Sequence, residues 1–294
     1  MKDYLIQFQM ENNRKIALKT YIPFELIYSK EELLYVKDLL EKLYKDVGGT
    51  MMINITHTPN MTGVLLAGDS EDFEALYDAL HIIVGPEETA FGLAEARMRV
   101  LGLCYDLRHA RMGHRNVFFH EHGLDVEQMK YLAIVGPTQN LYLSFETYWP
   151  EMLYIVFVLN EFIESYERRP KTHTWDENIA IVRLFQSKVL KLAGETMTDK
   201  QFASFKKWTD GTKALSYNFY ANLYTQYVDY LNLLWIAMDK EERPKKLSIF
   251  AKRLNQYTTD YEKLKKRIDA AAEYEGVHPS EIAYGDYEAV EIVW

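Results

Sequence analysis

Cysteine and long apolar runs are almost absent from this chain of 294 residues. A single cysteine, Cys104, excludes an internal disulfide and favours a reducing compartment. The longest apolar run, Met152 to Leu159, is far shorter than the roughly 20 residues that cross a bilayer. The first residues, Met1 to Glu11, contain no long apolar core, so we expect no signal peptide. These absences predict a cytoplasmic protein with no membrane partner.

Positive charge is also in short supply. The chain has 34 lysines and arginines against 43 aspartates and glutamates, which gives a formal net charge of -9. Non-specific binding to nucleic acid depends on lysine and arginine that neutralise phosphates, so this balance argues against direct nucleic-acid binding. It is compatible with a basic protein partner, including a partner that itself acts on nucleic acid.

Known catalytic signatures are missing as well. The chain has no Ser-His-Asp order, no Gly-x-Ser-x-Gly motif and no P-loop. It also lacks the metal-spaced carboxylates that a nuclease needs. We therefore expect no cofactor, and no catalytic residue can be assigned from a motif.

Apolar residues are plentiful, at 48% of the chain, and are sufficient for folded cores. Their patterns predict a small N-terminal ββαββα domain over residues 1–88, in which Ser29 and Asp69 precede the two helices. The predicted strands lie near 4–9, 15–22, 51–56 and 63–67.

Residues 89–168 predict a central helix-strand-helix domain, with a helix that ends at Gly113, two or three strands, and a strongly apolar helix at 149–167. Residues 169–294 predict a C-terminal helical region with a docking tail. Its helices are expected near 176–193, 198–208, 212–239 and 244–274. The predicted fold class of the chain is α+β.

The helix predicted at 212–239 carries a tyrosine-rich heptad pattern, which is typical of a helix that is covered on most sides. It is either an internal core helix or an interface with another subunit or a partner. Because tyrosine is enriched at interfaces, we favour the interface and expect a homo-oligomer. The interface residues would be Tyr217, Tyr220, Tyr224, Tyr227, Leu231 and Leu234.

Histidines concentrate in the central segment and allow two chemical interpretations. His109, His114, His120 and His122, together with Cys104, suggest a metal site, but no zinc-ligand spacing supports it. Arg108 and His114 have the Arg-x5-His spacing of HEPN-type ribonucleases, in which a histidine performs acid–base work. An enzymatic alternative, a ribonuclease or metal-dependent hydrolase, would therefore use Arg108, His109, His114 and His120.

Carboxylates supply further candidates for acid–base chemistry. Asp106 with Arg108, and Glu146 with Glu151, could form acid–base pairs. Glu151 directly follows Pro150 at a predicted helix start, where the helix dipole is a simpler explanation for a carboxylate.

The central segment resembles an uncharacterised domain family of Gram-positive bacteria and their prophages. The resemblance covers about residues 90–167 and rests on Cys104-Tyr-Asp-Leu-Arg-His-Ala110, Gly123-Leu-Asp-x-Glu-x-Met-Lys130 and Leu141-Tyr-Leu-Ser-Phe followed by Trp149-Pro-Glu-Met-Leu153. It implies no known activity.

In size, charge and layout, the whole chain is also similar in plan to the phage Gabija anti-defence inhibitor. That resemblance implies an oligomeric inhibitor in the host cytoplasm that wraps a host nuclease complex. We therefore expect a non-enzymatic, phage-encoded protein that binds a host defence complex and blocks its nucleic-acid binding by occlusion.

Overall fold

The computed structural model describes residues 53–87, 92–209, 222–256, 258–282 and 292–294. In these ranges it has four β-strands, nine α-helices and a short 3-10 helix, and it confirms the α+β class. The strands are β1 (Asn54–His57), β2 (Gly63–Gly68), β3 (Asn116–Glu121) and β4 (Gln139–Tyr148). The helices are α1 (Ser70–Val84), α2 (Ala94–Arg111), α3 (Val126–Tyr131), α4 (Trp149–Glu167), α5 (Glu177–Glu195), α6 (Asp199–Thr209), α7 (Asn222–Ile236), α8 (Arg243–Arg253) and α9 (Thr259–Glu275).

The strands form one antiparallel sheet in the order β1-β2-β4-β3. Gly63 begins β2 beside β4, where a Cβ atom would lie 2.0 Å from the carbonyl oxygen of Thr147, so no other residue fits there. The sheet joins β2 from the predicted first unit to β4 from the predicted central unit. The predicted elements before residue 51 lie outside the described residues, so the ββαββα order and the division into three domains stay predictions.

Helix α4 lies at the centre of the molecule. From Trp149 to Leu159 every residue except Glu151 is apolar, and a helical segment of that kind is stable only when it is enclosed. It packs against α1, α2, α5, α7 and α8 and against two strands of the sheet. Trp149 and Phe162 are among its fully buried side chains. Neither α4 nor any other helix in the described ranges is long and apolar enough to cross a membrane.

Helix α1 begins and ends as its sequence predicts. The Asp69 side chain accepts a hydrogen bond from the Asp72 N–H at 2.8 Å, and the Asp72 side chain accepts one from the Asp69 N–H. This reciprocal pair is a capping box, and Gly85 ends the helix with a positive φ. Phe73 and Leu80 are buried on the predicted apolar face.

The helix predicted at 244–274 is wrong as a single element, because it is two helices, α8 and α9. Thr258 has extended backbone and its hydroxyl accepts a hydrogen bond from the Tyr261 N–H, so it caps a new helix. The short helix α3 was not predicted, and the predicted start of the 212–239 helix lies outside the described residues.

The last two residues, Val293 and Trp294, and the Arg243 side chain all form hydrogen bonds with the β1–β2 turn. Asn60 donates to the Trp294 carbonyl oxygen at 2.6 Å, and Thr62 donates to the Val293 carbonyl oxygen at 2.5 Å. Arg243 is buried and donates to the Asn60 carbonyl and the Thr62 hydroxyl, as well as to two carbonyls at the end of α7. Residues 293 and 294 therefore contact the β1–β2 turn, and the docking of the whole predicted tail stays a prediction.

Candidate functional site

The histidines of the enzymatic alternative lie at the end of α2. The rings of His109 and His114 have centroids 5.6 Å apart, and His109 Nδ1 lies 2.8 Å from the Tyr105 carbonyl oxygen. The His109 ring lies 3.7 Å from the Tyr105 ring, and the Arg108 guanidinium lies 5.9 Å from the same ring. The structure thus brings Arg108, His109 and His114 together at the surface, and their catalytic role stays a prediction.

The other two histidines lie in or next to β3. His120 belongs to β3, and His122 follows its end. The His122 Nε2 atom lies 2.9 Å from the Pro137 carbonyl oxygen, and its Nδ1 accepts from the Leu124 N–H at 3.2 Å. His122 therefore fixes the loop between β3 and β4. Among the described residues, no group of three or more His, Cys, Asp and Glu side chains is placed to hold a metal ion.

The tyrosine-rich helix contributes to the core of its own chain. Tyr224, Tyr227 and Leu231 of α7 are fully buried, and Leu234 is partly buried. The Tyr224 hydroxyl donates to the Arg253 carbonyl oxygen, and the Tyr227 hydroxyl is hydrogen-bonded to Thr258.

These contacts match the internal alternative for the described part of the helix, because a fully buried side chain has no surface left for another chain. The side chains of Tyr217 and Tyr220 lie outside the described residues, and the homo-oligomer stays a prediction.

A polar cleft lies between α2, β4, α4 and α7, and its cavity volume is about 490 Å³. Four carboxylates line it, those of Asp106, Glu146, Glu151 and Asp229. Asp106, Glu146 and Glu151, which the sequence suggested as acid–base groups, thus line the same cleft. The hydrogen-bond partners of Asp106 and Glu146 differ from the predicted ones. Asp106 accepts from Arg115, not from Arg108, and Glu146 accepts from the Asn116 amide at 3.1 Å.

Arg99 lines the polar cleft and pairs with two of its carboxylates. Its guanidinium lies 3.2 Å from the Glu151 carboxylate and 2.6 Å from the Asp229 carboxylate, and it also donates to the Thr225 carbonyl oxygen. Asn232 donates to Glu151 at 2.9 Å. The Glu151 side chain is only 15% exposed, and burial raises its pKa although the positive charge of Arg99 opposes this.

Aromatic side chains also line the polar cleft. The rings of Tyr148 and Trp294 are stacked, with centroids 5.1 Å apart and planes 15° from parallel. Burial raises the pKa of Tyr148 to about 12, so its hydroxyl stays protonated. Tyr105 also lines the polar cleft and contacts His109, so the polar cleft and the histidine pair are neighbours.

Three members of the polar cleft, Arg99, Asp229 and Asn232, were not found from the sequence. They carry no motif, and Arg99 and Asp229 are 130 residues apart. A weak signal was available at Asp229, which is the only charged residue between Lys213 and Asp239. A lone charge within a buried helix usually has a partner, because an unpaired buried charge is costly.

A second candidate surface is the segment Val126–Val135, which we call the apolar tip. It connects β3 to β4 and contains α3. Tyr131 is 90% exposed and Val135 is fully exposed. The exposed large apolar side chains of the apolar tip are Val126, Tyr131, Leu132, Ile134 and Val135.

The apolar tip is nevertheless an ordered element. Asp125 and Gln128 form a capping box at the start of α3, and Met129 is buried beneath it. The Ile134 N–H donates to the Met129 carbonyl oxygen at 2.9 Å. The backbone is therefore held in place while most of the apolar side chains face outwards.

Together these features define an α+β protein with the polar cleft on one surface region and the exposed apolar tip on another. Residues 53–294 match the family model of a domain of unknown function, DUF6904, and the chain belongs to that family. The match extends well beyond residues 90–167, and it includes both the polar cleft and the apolar tip. Searches of the curated proteins and of the solved structures found no match.

Proposed function

We propose that this protein is a non-enzymatic binding protein, an inhibitor or adaptor that covers a partner protein through its apolar tip. The observation that carries this proposal is the exposure of five large apolar side chains on a short, well-capped element. Such exposure does nothing for the stability of the chain itself. Exposed apolar patches with polar rims typically mark sites of protein interaction.

The residue types of the apolar tip suit the centre of an interface. Tyr131 is a large side chain with few rotatable bonds, and tyrosine is enriched among residues that dominate binding energy. Leu132, Ile134 and Val135 would surround it with apolar contacts that exclude water. A contact of this kind derives its strength from a few anchors, and charge mainly sets the rate of encounter.

The charges around the apolar tip favour a basic partner. Between residues 121 and 138 the chain has three carboxylates, Glu121, Asp125 and Glu127, against one lysine, Lys130. The whole chain also has a negative net charge, -9. A protein that binds nucleic acid presents a basic surface, so covering that surface would block entry of phosphate by occlusion.

The resemblance to the phage Gabija inhibitor in size, charge and layout supports a more specific form of this proposal. In that version the protein is phage-encoded, oligomeric and present in the cytoplasm of a Gram-positive host. Its partner is then a host defence complex with nuclease activity. The partner loses nucleic-acid binding and keeps its fold.

The test is affinity capture from host cells with the tagged full-length chain, followed by mass spectrometry. A double variant, Tyr131→Ser with Val135→Ser, removes two anchors of the apolar tip. Tyr274→Ser is a matched control, because Tyr274 is 88% exposed and lies on α9. We expect the double variant to bind its partner about 30-fold more weakly, which corresponds to about 2 kcal/mol.

The captured partner should be a nucleic-acid enzyme that the wild-type protein prevents from binding DNA or RNA. The control variant should bind it as the wild-type protein does. The proposed function is wrong if the double variant retains full affinity, or if the protein itself binds nucleic acid tightly at physiological salt. Ribonuclease activity that is lost in Arg108→Ala and His114→Ala would establish the enzymatic alternative instead.

A further inference from the structure

We propose that His109 and His114 form a binding site for a divalent transition-metal ion of the zinc or copper type. The site lies at the end of α2 and is separate from the apolar tip, so the inference goes beyond the proposed function. The two imidazoles supply two ligands, and water or a group from another molecule supplies the others. The turn that holds the two rings together, the tautomer of His109 and the dipole of α2 support the assignment.

The backbone at the end of α2 holds the two histidines side by side. The His114 N–H donates to the His109 carbonyl oxygen at 2.9 Å, and the Gly113 N–H donates to the Ala110 carbonyl oxygen at 2.9 Å. Gly113 has a φ of +76°. These are the features of a Schellman motif, in which the side chains at these two positions often form an apolar contact. Here the contact joins two imidazole rings instead, with centroids 5.6 Å apart.

The separation of the two rings suits one shared metal ion. Zinc lies about 2.0–2.1 Å from a histidine nitrogen, so two rings on one tetrahedral ion have centroids roughly 5 Å apart. The observed distance of 5.6 Å is close to that value. His114 is exposed and His109 is half-buried. The pair is therefore open to an ion from solution.

The neighbouring contacts prepare His109 to act as a ligand. Its Nδ1 atom lies 2.8 Å from the Tyr105 carbonyl oxygen. Because a carbonyl oxygen can only accept, Nδ1 carries the hydrogen, and the neutral ring has its lone pair on Nε2. The Tyr105 ring, 3.7 Å away, limits rotation of the imidazole. A histidine that binds a metal usually donates its other ring N–H to a carbonyl or carboxylate in the same way.

The charges around the pair give the inference a distinctive consequence. The carboxyl end of α2 is the negative end of the helix dipole, which favours a cation. Arg115 is paired with Asp106 at 2.7 Å, and Arg111 is paired with Glu74 at 2.8 Å. Arg108 has no such carboxylate partner among the described residues, so its charge opposes a bound cation. Removal of that charge should therefore strengthen binding.

The ligand type decides the class of ion. Imidazole nitrogen suits zinc, copper and nickel, whereas Mg²⁺ and Ca²⁺ prefer oxygen ligands. In the described ranges, no group of three or more His, Cys, Asp and Glu side chains is placed to hold an ion. We therefore expect weaker binding than at a structural zinc site, which has four protein ligands, and open positions on the ion.

The test is calorimetric titration of the full-length protein with Zn²⁺ and with Cu²⁺, and Mg²⁺ is the control ion. We expect Cu²⁺ to bind more tightly than Zn²⁺, and Mg²⁺ to give no measurable heat of binding. His109→Asn and His114→Asn each remove one ligand. Each variant should bind Zn²⁺ at least about tenfold more weakly than the wild-type protein.

Two further variants separate this site from other histidines and test the charge argument. His173→Asn is the matched control, because His173 is an exposed histidine that stacks on an aromatic ring, that of Trp175. It should bind Zn²⁺ as the wild-type protein does. Arg108→Gln should bind Zn²⁺ about threefold more tightly, because it removes a nearby positive charge.

Thermal unfolding of each variant without metal checks that it is folded. The assignment is wrong if the wild-type protein binds neither Zn²⁺ nor Cu²⁺, or if folded His109→Asn and His114→Asn bind as the wild-type protein does. An equal loss of binding in His173→Asn would also overturn it, as would weaker binding of Zn²⁺ to Arg108→Gln. Partner capture through the apolar tip has no bearing on these outcomes, so the two proposals can fail separately.

Discussion

His57 links the stability of this protein to pH. It lies on β1, with its ring 5.3 Å from the ring of Trp149 at the start of α4. Burial lowers the pKa of His57 from 6.5 to about 4, and the Leu192 backbone opposes this only in part.

The sign and size of the effect follow from linkage between folding and protonation. The unfolded chain binds a proton at His57 near pH 6.5, and the folded chain binds it only near pH 4. The stability that neutral His57 contributes is therefore complete above pH 6.5 and is lost as the pH falls towards 4. Over that window the loss is about 3 kcal/mol, since one pKa unit corresponds to about 1.4 kcal/mol.

The variant His57→Phe retains a ring against Trp149 and removes the titration. Urea denaturation between pH 7 and pH 4 should show that the wild-type protein loses about 3 kcal/mol more unfolding free energy than this variant. His114→Phe serves as a control, because His114 is exposed. Parallel stability profiles for the wild-type protein and His57→Phe would refute the reasoning, as would an equal change in the control.

Three further predictions concern single sites. Arg243→Gln should lower the unfolding free energy in urea by about 3 kcal/mol or more, because it leaves several buried acceptors of the β1–β2 turn and α7 without a donor. Cys104 should react with a thiol reagent only after unfolding, because burial raises the pKa of its thiol to about 12. Gly63→Ala should destabilise the protein strongly by collision with Thr147, whereas Gly102→Ala should stabilise it by about 0.5–1 kcal/mol, because nothing lies within 4 Å of the added methyl group and the position is helical.

Local pattern in the sequence determined the elements with strong periodicity and clear ends. The apolar run after Trp149 became α4, and Asp69 caps α1 as expected. These features depend on residues within a turn or two of each other, so a linear sequence contains them. The break before Thr259 was missed, because a capping threonine inside a helical pattern is a weak local signal.

Only the tertiary structure determined which apolar residues are buried in the core and which charged residues pair with each other. An apolar helix face has the same pattern in a core as in an interface, and only the packing of α7 on α4 showed that Tyr224 and Tyr227 are internal. Likewise, Arg99 meets Glu151 and Asp229 over separations of 52 and 130 residues. No local pattern specifies such contacts, because they depend on the packing of α2, α4 and α7 in three dimensions.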